Sequence, residues 1–277
     1  MSNKVLYDNF VKDWCNIRCN NLTVDGTFTH NGGGGGNSPV SVNTYAELKT
    51  AVTAATKYIS VDTALIADSN LDIPQTTFIK IVLNEDLSFG DHSIDFGNNQ
   101  TALILCSETQ TNLINVTYAP LTEHALCIND ASGAKLKMYG LITNNLGGLA
   151  NCPIANSASL EFDNCDITAI SYVGNNGLSF TTKGYCNNCL FNNTELFINA
   201  GNVNILNCLF NGGNQIINVV GVESSGSKII GCTFEATTGQ VNVDVATVDF
   251  ILCNNYKTAG VTVTAAGSTV KAGNNFP

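Results

Sequence analysis

Ile205-Leu-Asn-Cys-Leu-Phe210 is followed 24 residues later by Ile229-Ile-Gly-Cys-Thr-Phe234. The same apolar-x-x-Cys-x-apolar unit stands twice upstream, at Phe162-Asp-Asn-Cys-Asp-Ile167 and Cys186-Asn-Asn-Cys-Leu-Phe191. A fifth copy, Phe250 to Cys253, is weaker and runs into Asn255. Successive cysteines fall 24, 19, 24 and 21 residues apart. A period of that size marks a solenoid, in which one repeat makes one coil and buries its apolar face only against its neighbours. Within the unit the apolar positions lie at i, i+3 and i+5. A plain strand would alternate and a helix would sustain its period, so the spacing fits a strand, a one-residue corner that flips the chain, and a second strand. Cys165, Cys189, Cys208 and Cys232 then point inward as a stacked row of reduced thiols. A free thiol suits that place because it behaves as a small buried hydrophobe.

Second apolar runs lie between the corners, at Leu196-Phe-Ile198, Ile216-Ile-Asn-Val-Val220 and Val241-Asn-Val-Asp-Val245, giving about three strands per coil. Coils stacked at about 4.8 Å build parallel sheets along a rod. Asparagines precede the cysteine at Asn164, Asn188 and Asn207, and the spacing stacks them as a hydrogen-bonded ladder. Upstream, Thr44-Tyr-Ala-Glu47 has the spacing of a capping box, and Ala46, Leu48, Val52 and Ala55 complete a short apolar stripe. One helix is predicted over 44–57. These features together resemble the right-handed parallel β-helix of the pectate-lyase-like (pectin lyase-like) superfamily, whose corners show the same Ile-x-Asn-Cys-x-Phe type of sequence and whose first coil is commonly capped by a short helix. The resemblance covers residues 40–277. It implies an all-β, right-handed parallel β-helix (solenoid) with a short N-terminal capping helix, and it specifies architecture rather than activity.

Of 277 residues, 44% are hydrophobic and 12% charged, against about 25% charged in an ordinary soluble domain. That composition excludes disorder, and 38 asparagines with a single arginine, Arg18, make turns plentiful and salt bridges scarce. Net charge is -10, whereas phosphate contacts need clustered basic side chains, so no nucleic-acid partner is expected. No apolar run reaches the length of a membrane span, and the N-terminus lacks the order of a signal peptide, so neither membrane insertion nor export is expected. Gly32 to Gly36 read as a flexible linker within 32–39, which sets residues 1–31 apart as an anchor or oligomerisation segment. Three basic and three acidic groups in the first 37 residues leave the whole net charge to the remainder. Phe10, Val11 and Trp14 lie in a short helical pattern too small to bury them alone, and they are the expected contacts of a homotrimer or of an anchor to another protein.

Candidate chemistry is sparse. Cys186-x-x-Cys189 could be half of a zinc site or a redox pair, but a second pair is lacking and packed thiols are the simpler reading. Two acidic clusters stand out, Glu161, Asp163 and Asp166 around one corner and Asp86, Asp91, His92 and Asp95 within ten residues. Lyases of the resembling superfamily generally use an Arg or Lys base beside calcium-binding acids, and its hydrolases carry adjacent aspartates with a downstream Gly-His-Gly. This chain has no arginine in the rod, no Asp-Asp pair and no such histidine. His30, His92 and His124 are too dispersed to form a metal site by spacing. No catalytic, cofactor or metal residue is therefore assigned. The segment Asn21-Leu-Thr-Val-Asp-Gly-Thr-Phe-Thr29 is similar to short β repeats near the N-termini of phage tail and large-virus structural proteins. The expected function is a non-enzymatic component of a virus particle: a fibre, spike or capsid-associated protein made in host cytoplasm and located in the virion. It would contact other virion proteins and a host glycan or receptor. The alternatives are a polysaccharide-active β-helix enzyme with a lysine base such as Lys183 or Lys228, and a cellular adhesin or lectin.

Overall fold

From residue 140 onward the corner after each strand of the first sheet needs a residue that tolerates positive φ, and the chain supplies Gly or Asn every time. Gly140, Asn164, Asn188, Asn207, Gly231, Asn254 and Gly273 occupy the same corner in seven successive coils, with φ between 51 and 68°. Glycine reaches this left-handed region freely and asparagine more readily than other residues with a Cβ. The reversal there carries the inward face from one sheet to the next.

A computed structural model describes residues 38–90, 92–97, 99–107, 114–118, 126–128, 135–144, 159–168, 171–172, 175–176, 178–180, 183–198, 202–212, 216–219, 226–243, 250–265 and 269–274. They belong to one compact unit that begins at Ser38. Eleven parallel strands form its first sheet: 40–42, 58–61, 78–83, 102–106, 135–139, 159–163, 184–187, 203–206, 228–230, 250–253 and 269–272. A second sheet of nine strands follows the corner, and further sheets of three strands, from 71 to 128, and five strands, from 178 to 265, complete the coils. The fold is a parallel β-helix, nearly all β, as the repeat predicts. Residues 1–37, with Phe10, Val11, Trp14 and the glycine linker, lie outside the described residues, as do Asp91, His30 and His124.

Register is exact across the repeat. Phe162, Cys186, Ile205, Ile229 and Leu252 form one inward column of the first sheet, and Ile167, Phe191, Phe210 and Phe234 form one of the second. All are buried. Each such side chain contributes about 1.5–3 kcal/mol by leaving water. The phenyl rings stack along the axis, Phe191 on Phe210 at 4.8 Å and Phe210 on Phe234 at 5.2 Å between centroids. At Gly184, which begins a strand, a Cβ would lie 2.2 Å from the Phe180 ring, so the missing side chain is what admits that ring to the core.

Two expectations need correction. The helix, α1, is Tyr45–Thr53 rather than 44–57, because Ala54 caps it and Ala55 turns to φ +54 to lead into the next strand. Thr44 and Glu47 form the predicted capping box, but the buried face is Tyr45, Leu48, Ala51 and Val52, while Ala46 is exposed. In the fifth repeat the register pairs Ile229 with Leu252 and Ile230 with Cys253. The inward residues are thus Leu252 and Asn255, the left-handed corner is Asn254, and Cys253 faces out, half-buried.

Candidate functional site

The residue after each left-handed corner points into the core, and in consecutive coils it is Leu141, Cys165, Cys189, Cys208, Cys232, Asn255 and Asn274. The four predicted cysteines are reduced and buried. They do more than fill space. Cys165 Sγ donates to Met138 O at 3.4 Å and Cys232 Sγ to Ile205 O at 3.6 Å, carbonyls of the preceding coil. Asn255 Nδ2 and Asn274 Nδ2 donate to the corresponding carbonyls, Ile229 O at 3.0 Å and Leu252 O at 2.6 Å. Asn255 Oδ1 meanwhile accepts the Cys232 N–H, and Asn274 Oδ1 accepts the Asn255 N–H. At Cys165 and Cys232, thiol and carboxamide therefore perform one task, closing a polar gap at the corner where the ladder between strands is interrupted, whereas Cys208 donates to Leu206 O of its own coil at 3.2 Å. Cys189 lies between Cys165 and Cys208 and donates to Asn187 O of its own coil at 3.3 Å, and the neighbouring thiols hold its own thiol below the ordinary range. Those two thiols are pushed up, Cys165 chiefly by burial and Cys208 chiefly by the adjacent thiols of Cys189 and Cys232. Cys186, inward in the first sheet, is pushed up by burial.

The corner asparagines make a shorter ladder than their spacing predicts. Asn188 Nδ2 donates to Asn164 Oδ1 at 3.1 Å, but Asn207 Nδ2 reaches Asn187 Oδ1, in the neighbouring column, at 3.4 Å. Where the next coil has glycine, the amide fills the space a side chain would take. A Cβ on Gly231 would lie 2.6 Å from Asn207 Oδ1.

The first acidic cluster is divided by its corner. Glu161 and Asp163 lie on the outer face of the first sheet and Asp166 begins a strand of the second. Each has a partner along the axis: Glu161 pairs with Lys137, Asp163 accepts from Asn187 Nδ2 at 3.0 Å, and Asp166 accepts from Asn192 Nδ2 at 2.6 Å. Burial raises the Asp166 carboxyl, and the Asn192 hydrogen bond opposes that shift. In the second cluster Asp95 accepts from the Gly97 N–H at 2.7 Å and Asp86 is exposed. Among the described residues no three His, Cys, Asp or Glu side chains are placed to hold a metal ion.

The outer face of the first sheet gathers what neither cluster does. One register column runs Tyr58, Lys80, Ile104, Lys137, Glu161, Tyr185, Asn204, Lys228. Lys135 lies in the adjacent column, after Phe78 and Ala102, and Lys183 stands just before the strand 184–187. Glu161, Lys183, Gly184, Tyr185, Asn202 and Asn204 line a shallow depression of about 430 Å³ on this face. Burial and then the charge on Asp163 raise the Tyr185 hydroxyl above its usual range. Sequence reading missed this face. The signal was present as lysines in alternate coils, but a register is needed to align them. No family model, curated protein or solved structure matches the chain.

Proposed function

We propose that this chain is a non-enzymatic structural component of a virus particle: a fibre, spike or capsid-associated protein whose solenoid is held through residues 1–31. The observation that carries the non-catalytic part is the direction of the polar contacts. Glu161, Asp163 and Asp166 each have a polar partner on a neighbouring coil, and so, inside, do Cys165, Cys232, Asn255 and Asn274. A catalytic pair of carboxylates instead has to face a substrate together. Reduced thiols are consistent with synthesis in a reducing cytoplasm. The particle assignment rests on the apolar N-terminal segment, the pentaglycine and the Asn21–Thr29 repeat. The pectate-lyase-like resemblance belongs to this reading as architecture alone. Mass spectrometry of purified particles tests it. Stoichiometric copies lost on deletion of residues 1–31 are expected, and absence from particles would overturn it. Sedimentation of the full chain against a chain beginning at Ser38 tests self-association, with a trimer expected only for the former.

One observation favours a second reading, a polysaccharide-active enzyme: Lys183 shares a depression with Glu161 and Tyr185. Cleavage of a glycan by the purified chain, abolished by Lys183→Gln, would establish it in place of the first.

A further inference from the structure

In the first sheet, lysines recur on every second rung from the third strand to the ninth, and Lys57 stands just before the second strand. Counting its strands from 40–42, the third carries Lys80, the fifth Lys135 and Lys137, the seventh follows directly on Lys183, and the ninth carries Lys228. The fourth, sixth and eighth carry none. At about 4.8 Å per rung the positive charges repeat every ~10 Å over about 29 Å of sheet. They occupy two adjacent outward columns, so the track is only about 7 Å wide. Five lysines face two carboxylates there, Glu161 and Asp163, in a chain whose net charge is -10. Lys135, Lys183 and Lys228 are exposed.

We propose that this face binds a single extended anionic glycan, laid along the solenoid axis with about one sulfate or carboxylate per disaccharide. Narrowness selects a linear polymer over a membrane surface, which would engage a broad patch. The absence of a continuous aromatic row argues against single-stranded nucleic acid, which binds by stacking successive bases. Between the lysines, Tyr185, Asn202 and Asn204 line the depression and offer a ring face and amides to sugar hydroxyls. The inference concerns binding by the isolated chain and stands or falls independently of particle assembly.

The test is fluorescence anisotropy with the full chain in metal-free buffer at low salt. The probes are labelled heparin oligosaccharides, oligogalacturonates, neutral cello-oligosaccharides and a single-stranded DNA oligomer. Binding of at least one anionic glycan is expected, with affinity growing with length until the track is filled and falling as salt rises; the two anionic arms tell sulfate from carboxylate recognition. The pair Lys135→Gln and Lys183→Gln should weaken binding about tenfold and flatten the salt dependence. Lys49→Gln, within α1, should leave it unchanged. Lys135 and Lys183 are exposed and Lys49 is half-buried, donating to Ser69 Oγ at 3.0 Å, and unaltered thermal unfolding confirms that the variants fold. No binding of either anionic glycan, equal binding by the Lys135/Lys183 double variant, or equal binding of DNA would overturn the proposal.

Discussion

Replacing Cys232 by Asn and by Asp separates two accounts of the thiol row. Cys232 is 1% exposed, and its Sγ faces Ile205 O at 3.6 Å. One rung further, Asn255 holds the corresponding carbonyl with Nδ2 and accepts the Cys232 N–H with Oδ1. If the position requires one donor and one acceptor, Cys232→Asn extends that arrangement, with Nδ2 on Ile205 O and Oδ1 on the Cys208 N–H. Its stability should then stay within about 1 kcal/mol of the parent. Cys232→Asp has the same shape but no donor when ionised, so its carboxyl must remain protonated in the folded protein. Holding a carboxyl of ordinary pKa protonated at pH 7 costs about 4 kcal/mol. The sign is fixed by the raised folded pKa: the folded state binds the extra proton, so the penalty is absent below the ordinary carboxyl pKa and grows as pH rises above it. Urea unfolding followed by circular dichroism at pH 7 and pH 4, always against the parent, reads both numbers. If Asn is as damaging as Asp at pH 7, the thiol is only a small apolar filler and the hydrogen-bonding equivalence is refuted. If Asp matches Asn at pH 7, the opposed carbonyl is not there.

Cys208→Asp should fail in the same way, since Cys208 Sγ donates to Leu206 O at 3.2 Å inside the same row. Gly231→Ala should cost about 1–2 kcal/mol, because Gly231 has φ +68 and the new methyl would meet Asn207 Oδ1. Adding Asn207→Gly should recover the part due to contact but leave the backbone part, as a double-mutant cycle in thermal unfolding will show. Acid should loosen the first coils. Glu47 is held below its usual range by the Asn43 and Thr44 amides, and Asp62 by Ser41, Ser60 and Asn84. Both shifts are downward, so their contribution is complete above the ordinary carboxylate pKa and lost as pH falls through the lowered values. Protection of 41–62 against hydrogen exchange, taken relative to the intrinsic rate at each pH, should therefore fall in acid, and Asp62→Asn should reduce that acid dependence; an unchanged profile in the variant would refute the assignment.

Periodicity was enough to specify the solenoid, because inward residues on both sides of a corner must be apolar whatever the neighbouring coils contain. Cys165, Cys189, Cys208 and Cys232 could be placed inside on that ground, and Asn164, Asn188 and Asn207 at the bend. The capping box was legible for the same local reason, since Thr44 and Glu47 satisfy amides within one helical turn. What required the tertiary structure was register between coils of unequal length. It placed Asn255, rather than Cys253, in the inward row, and so revealed that thiol and amide hydrogen-bond alike. It separated Asp166 from Glu161 and Asp163, although three residues at most separate each in sequence from the next. It also brought Lys80, Lys135, Lys137, Lys183 and Lys228 onto one face. Residues dozens of positions apart become neighbours only when each coil's loops have absorbed their differences in length, and no local pattern records that alignment.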